Sequence, residues 1–131
     1  MGAMNDVGLT FTAQSAANLS ASSYVAVKYS SGSTHEKKLI ELCGAGEVPC
    51  GILVQGREAG RNMEVVELTY QPAKITASAA ITVGATCKIA ANGQAVATTT
   101  DGDRIFFIAD EAATAANDII VGYTCNMFRG A

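Results

Sequence analysis

The sequence predicts an all-β fold: a compact barrel- or sandwich-like domain of about eight short strands with an extended N-terminal arm. Three observations carry that expectation. Short segments rich in Val, Ile, Thr and Phe recur along the chain, and the first of them alternates strictly between apolar and polar residues. Clusters of Gly, Asn, Asp and Ser separate these segments at intervals of about 8–12 residues. The segment that most resembles a helix, "DEAATAAN", has Asp110 at a possible N-cap but is only about two turns long, too short to hold a helix without packing.

Residues 1–23 differ in texture from the rest. "AQSAANLSASS" is small, polar and almost uncharged, and Ala and Ser offer little surface to bury. It reads as an extended arm, with a short helix as the alternative. Leu9, Phe11 and Leu19 are its large apolar anchors. A single β-rich domain is expected over residues 24–131. "YVAVKY" places Val25, Val27 and Tyr29 on one face and Ala26 and Lys28 on the other, a half-buried strand. "SSGSTHE" turns the chain and "KKLIELC" returns as a partner strand.

"GAGEVPCG" interrupts with three glycines and Pro49, "ILVQ" follows as a short strand, "GREAGRN" as a charged turn and "MEVVELTY" as a strand. Pro72 ends that strand or marks an edge, because proline cannot donate to a ladder. "AKITASAAI" and "TCKIA" are strands joined through "TVGA". "ANGQ" is a compact turn, because Asn-Gly accepts the positive φ of a hairpin turn. "QAVATT" leads to the turn "TDGD". "RIFFIA" is a continuous apolar run, as expected of a strand buried on both faces, and "DIIVGYTCNMF" is a β-prone close. No internal repeat stands out in the residues.

Composition narrows the function. The chain has 131 residues, 49% hydrophobic and 16% charged, which suits one globular domain and not a disordered chain. Nine basic residues face twelve acidic ones, with Lys37-Lys38 as a lone basic doublet. Nucleic-acid binding, which draws on cationic contacts to phosphate, is therefore not expected. No run of about 18 apolar residues spans a membrane, and "MGAMNDVGLTF" lacks the charged and apolar regions of a signal peptide. Synthesis in a cytoplasm follows as an expectation, and with it reduced thiols at Cys43, Cys50, Cys87 and Cys125. Cys43–Cys50 is the most local pairing if any disulfide forms.

The residues do not assemble a catalytic or metal site. Cys87 beside Lys88 could be an activated thiol, but neighbours on a strand point to opposite faces. His35 is the single histidine and lies in a Ser/Gly/Thr-rich turn. There is no C-x-x-C, and "DGD" at Asp101–Asp103 lacks the further ligands of a calcium loop. "GAGEVPCG" has Pro49 where a dinucleotide-binding loop needs its third glycine. Glu64 and Glu67, three apart on a strand, face opposite sides. The expected role is binding or structural, with no catalysis, cofactor or metal.

Taken in order, "YVAVKYS", "VPCGILVQG", "ITVGATCKIAANGQAVAT" and "DRIFFIADEAATAANDIIVGY" resemble the capsid cement, or head decoration, proteins of tailed bacteriophages. Pro49, Gly51, Ile81, Gly84, Asn92 and Gly93 fall at that family's proline, glycine and turn positions. Ala109, Glu111, Ala112, Ala113, Asp118 and Ile120 match its closing segment. About three quarters of the chain is covered. "SSGSTHEKK", the four cysteines and "NMFRGA" depart from the pattern.

The resemblance implies a homotrimer on the outer surface of a phage capsid, clamping neighbouring major capsid protein subunits, often at three-fold positions. It carries no catalytic residues, and charge and hydropathy leave neither nucleic acid nor membrane as an expected partner. Leu9, Phe11, Leu19, Met127 and Phe128 are the candidate capsid or subunit contacts. A tail- or fibre-associated virion β-domain is the alternative, and a cysteine-dependent enzyme or ligand-binding domain a further one.

Overall fold

The computed structural model describes residues 9–130, and its architecture is all-β. Ten strands form two five-stranded antiparallel sheets. The first sheet holds β1 (Thr10–Ala13), β2 (Val25–Tyr29), β3 (Ile40–Leu42), β4 (Gly51–Leu53) and β5 (Met63–Val66). The second holds β6 (Pro72–Thr76), β7 (Thr86–Ile89), β8 (Ala95–Ala97), β9 (Arg104–Ala109) and β10 (Ile119–Phe128). Sequence reading missed β1, and it took the β8 segment "QAVATT" only as the lead into a turn. The extended arm expected over residues 1–23 is, from Leu9 onward, part of the folded body: β1 pairs with β5 from Thr10↔Val66 to Ala13↔Met63. Leu19 is buried in the same core.

The spatial order is β1-β5-β4-β2-β3 in the first sheet and β6-β10-β9-β7-β8 in the second. Adding five to each strand number converts one order into the other, so the second sheet repeats the topology of the first. The edges match as well. Just after β1, Gln14 makes a parallel bridge to Leu39 at the start of β3; just after β6, Ala77 does the same to Ala95 of β8. Gln14 N donates to Lys38 O at 3.0 Å and Ile40 N to Gln14 O at 2.8 Å, while Ser78 N donates to Ala95 O at 2.8 Å. Each sheet therefore curls until its outer strands meet, which removes the open edges a flat five-stranded sheet would present. The repeat is one of topology, and strand lengths conceal it in the sequence: β5 has four residues and β10 has ten.

Two apolar clusters result. One fills the first barrel with Val25, Val27, Ile40, Leu53, Met63 and Val65. The other is built on Ile75, Cys87, Phe107 and Ile120 of the second barrel and extends to Ala26, Cys43 and Ile52 of the first. Successive residues of β2 and β4 thus serve different cores: Val25 and Val27 point into one and Ala26 into the other, as do Leu53 and Ile52. The half-buried strand expected at "YVAVKY" is covered on both faces over Val25–Val27, and Tyr29 is exposed. Phe106 and Phe107 point in opposite directions from β9 and are both fully buried, as the run "RIFFIA" predicts.

Turn chemistry follows the sequence closely. Asn92 and Gly93 take φ of 60° and 74° between β7 and β8. A Cβ on Gly93 would stand 2.2 Å from Ala26 O, so the turn of the second barrel lies on the β2 backbone of the first. "DEAATAAN" forms no helix. The Asp118 carboxylate instead accepts from Thr114 N at 2.8 Å and Ala115 N at 3.1 Å, which captures the segment as a loop. Between the barrels, Gln71 ties the connection down: its Nε2 donates to Leu9 O and Glu67 O at 2.9 Å, and its Oε1 accepts from Leu9 N at 2.6 Å.

Candidate functional site

The five residues singled out from sequence separate on folding. Leu19 is core. Phe11 packs partly against the first cluster and stacks on Tyr29 with ring centroids 5.9 Å apart. Lys38 Nζ lies 5.9 Å from both ring centroids. These three line an open cleft of about 770 Å³ together with Lys28, Glu47 and Cys50. Leu9 is exposed beside Gln71. Met127 and Phe128 are exposed at the far end of β10, where the Arg104 guanidinium sits 4.6 Å from the Phe128 ring centroid. The fold does not gather them into one surface.

A different apolar surface is present, and sequence reading missed it. In β10 the inward residues are Ile120, Gly122 and Thr124, and the outward ones are Ile119, Val121 and Tyr123. The outward side chains are 50%, 37% and 39% exposed. Tyr70, 67% exposed, stacks on Tyr123 with centroids 5.6 Å apart and planes 19° off parallel. Ladder partners on the same face extend the surface. Tyr123 pairs with Pro72 on one side and Ile108 on the other, and Val121 pairs with Lys74.

Charge borders this stripe asymmetrically. Lys74, on the β6 side, reaches over the Tyr24 ring at 5.8 Å. Beyond the end of β9, Glu111 Oε1 accepts from Val121 N at 3.1 Å. The corresponding strand of the first barrel, β5, turns Glu64 outward next to Thr12 of β1. The outward faces of the two matching strands thus differ: β5 presents Glu64 and the half-buried Val66, β10 the exposed Ile119, Val121 and Tyr123. The signal in the sequence is the run Ile119–Tyr123, apolar at every position except Gly122, but an apolar run reads as burial on both faces.

The cysteines are free thiols. Cys43 lies in the cluster shared by the barrels and Cys50 against the first barrel's core, on opposite sides of the first sheet. Burial pushes Cys43 and Cys125 up to about 11, and Cys50 and Cys87 up to about 12. Lys88 turns away from Cys87 and pairs with Asp103 at 3.2 Å. Thr98 Oγ1 donates to the same carboxylate at 2.6 Å and, with Lys88, holds its pKa below the usual range. Among the described residues no three His, Cys, Asp or Glu side chains gather as a metal site, and no helix is long and apolar enough to cross a membrane.

Comparison with known proteins places the fold. No family model matches the chain, and no curated protein matches it in sequence. Among solved structures, the chain is similar to the head fibre gp8.5 N base of bacteriophage phi29, with a TM-score of 0.69 at 22% identity. The match covers 88% of this chain and 92% of that one, so both barrels and their connection are shared. At that identity the likeness establishes a common fold.

Proposed function

We propose that this chain is a structural virion protein of a tailed phage that binds the outer surface of the capsid. In this reading it stabilises the shell as a homotrimer, clamping neighbouring major capsid protein subunits, and it has no catalytic role. The observation that carries the reading is the end-to-end fold likeness to the base of a phage head fibre. Two features support it. Two small closed barrels with a shared core make a rigid body that exposes few strand edges, suited to repeated display on a lattice. All four thiols are held protonated by burial, which argues against a cysteine nucleophile. On a shell, many copies of a modest contact give strong retention.

The same likeness favours a second reading, in which the chain is the base of a head fibre and anchors a projecting element. Both readings put the protein on the head. The test is co-sedimentation of the purified chain with undecorated heads, followed by imaging of labelled virions. Saturable binding to heads and label over the shell are expected. Absence of binding, or label confined to the tail, overturns the proposal. A projection seen beyond the two barrels on the virion selects the fibre-base reading.

A further inference from the structure

We infer that the outward face of β10, with Ile119, Val121 and Tyr123 flanked by Tyr70, is the surface on which copies of this chain associate. The inference rests on the trimeric reading above and names the face that reading needs. Four large apolar side chains exposed side by side form one contiguous patch, the kind of surface that marks interaction sites on soluble proteins. The first barrel is an internal comparison: with the same topology and strand order, its matching strand turns Glu64 to solvent. Interfaces also favour aromatic residues at their centre, and the stacked Tyr70–Tyr123 pair supplies two large side chains, one already ordered by the other.

The borders of the stripe identify the occupant as a second copy. Lys74 stands on the β6 side of Val121 and Glu111 on the β9 side. When copies turn this face toward a common axis, the β6 side of one meets the β9 side of the next. Lys74 of each copy then faces Glu111 of its neighbour, and the arrangement closes on itself, as a cyclic oligomer requires. A foreign surface would have to provide both charges in the same order; a copy of this chain provides them by symmetry. Opposed charges at the rim set orientation and partner choice, while the apolar centre supplies most of the affinity.

Light scattering and sedimentation of the purified chain test this directly. The expected mass is that of a small cyclic oligomer of the 13.4 kDa chain. Val121→Asp should yield monomers with unchanged circular dichroism. Lys74→Glu and Glu111→Lys should each weaken association by about fivefold, and the double reversal should restore it. A monomeric wild type overturns the inference, as does an oligomer that survives Val121→Asp or a double reversal no better than the singles. Head binding by Val121→Asp separates this from the functional reading. Monomers that still bind heads, more weakly, keep the capsid role. Wild-type oligomers that ignore heads reject that role and keep this interface.

Discussion

Gly93 shows how much a single residue sets in this fold. It supplies a φ of 74° and leaves room for a backbone contact that any Cβ would block at 2.2 Å from Ala26 O. Gly93→Ala should therefore combine left-handed strain with a forced separation of turn and strand, and cost about 2–3 kcal/mol in chemical denaturation. The thiols have the opposite character, since burial outweighs the cations near them, Lys28 at Cys43 and Lys38 at Cys50. Iodoacetamide at neutral pH should label Cys43, Cys87 and Cys125 in the native protein far more slowly than in the unfolded chain; rapid labelling of Cys87 would reopen a catalytic reading. Asp118 has a folded pKa held below its ordinary value, chiefly by the backbone N–H of Thr114 and then by that residue's hydroxyl and Ala115 N–H. Its contribution to stability is thus present above the unfolded value of about 3.9 and is lost as pH falls through the lower folded value. Asp118→Asn should be less stable than wild type at pH 7, and the difference should shrink as the pH is taken below about 4.

At the scale of elements, β1 changes the meaning of the N-terminal segment. Its residues look too small and polar to pack, yet Phe11 and Ala13 alternate inward while Thr12 stays outside, and Ala13 and Leu19 are buried. Deleting residues 1–12 would strip an edge from the first barrel and uncover Met63 and Val65. A melting temperature lowered by several degrees is expected, and an unchanged one would show that β1 adds nothing to the barrel. β10 is the converse case. Its ten residues pair with β6 and β9 on its two sides, with a bulge between Thr124 and Met127, and its inward half behaves as a buried strand should. Its outward half keeps the same apolar chemistry and, among the described residues, is left partly exposed beside the stacked Tyr70, which makes it a candidate for contact with another molecule.

At the scale of the whole molecule, two barrels of the same topology are joined by one continuous cluster, to which the first contributes Ala26, Cys43 and Ile52 and the second contributes Phe106 among others. A shared core predicts one cooperative unfolding transition for both barrels. Phe106→Ala would open a cavity in that cluster at a cost of about 3–5 kcal/mol and is expected to split the calorimetric transition in two. A single sharp transition in the variant would show that the barrels are coupled by other contacts, such as Gly93 on β2 or Gln71 at the connection.

Local chemistry alone determined much of this protein. Alternation and turn residues mark eight of the ten strands, the Asn-Gly turn, the opposed faces of Cys87 and Lys88 and the doubly buried β9, because each depends on the backbone period and φ preferences of neighbouring residues. Three things were decided only by tertiary structure. Strand β1 exists because a distant edge, β5, was available to pair with it. The topological repeat lies in which strands are neighbours, a property that strand-length changes erase from the sequence while leaving it intact in space. The exposed stripe on β10 was hidden because an apolar side chain has the same local signature whether it faces a core or solvent. Only the position of every other element shows which faces remain uncovered.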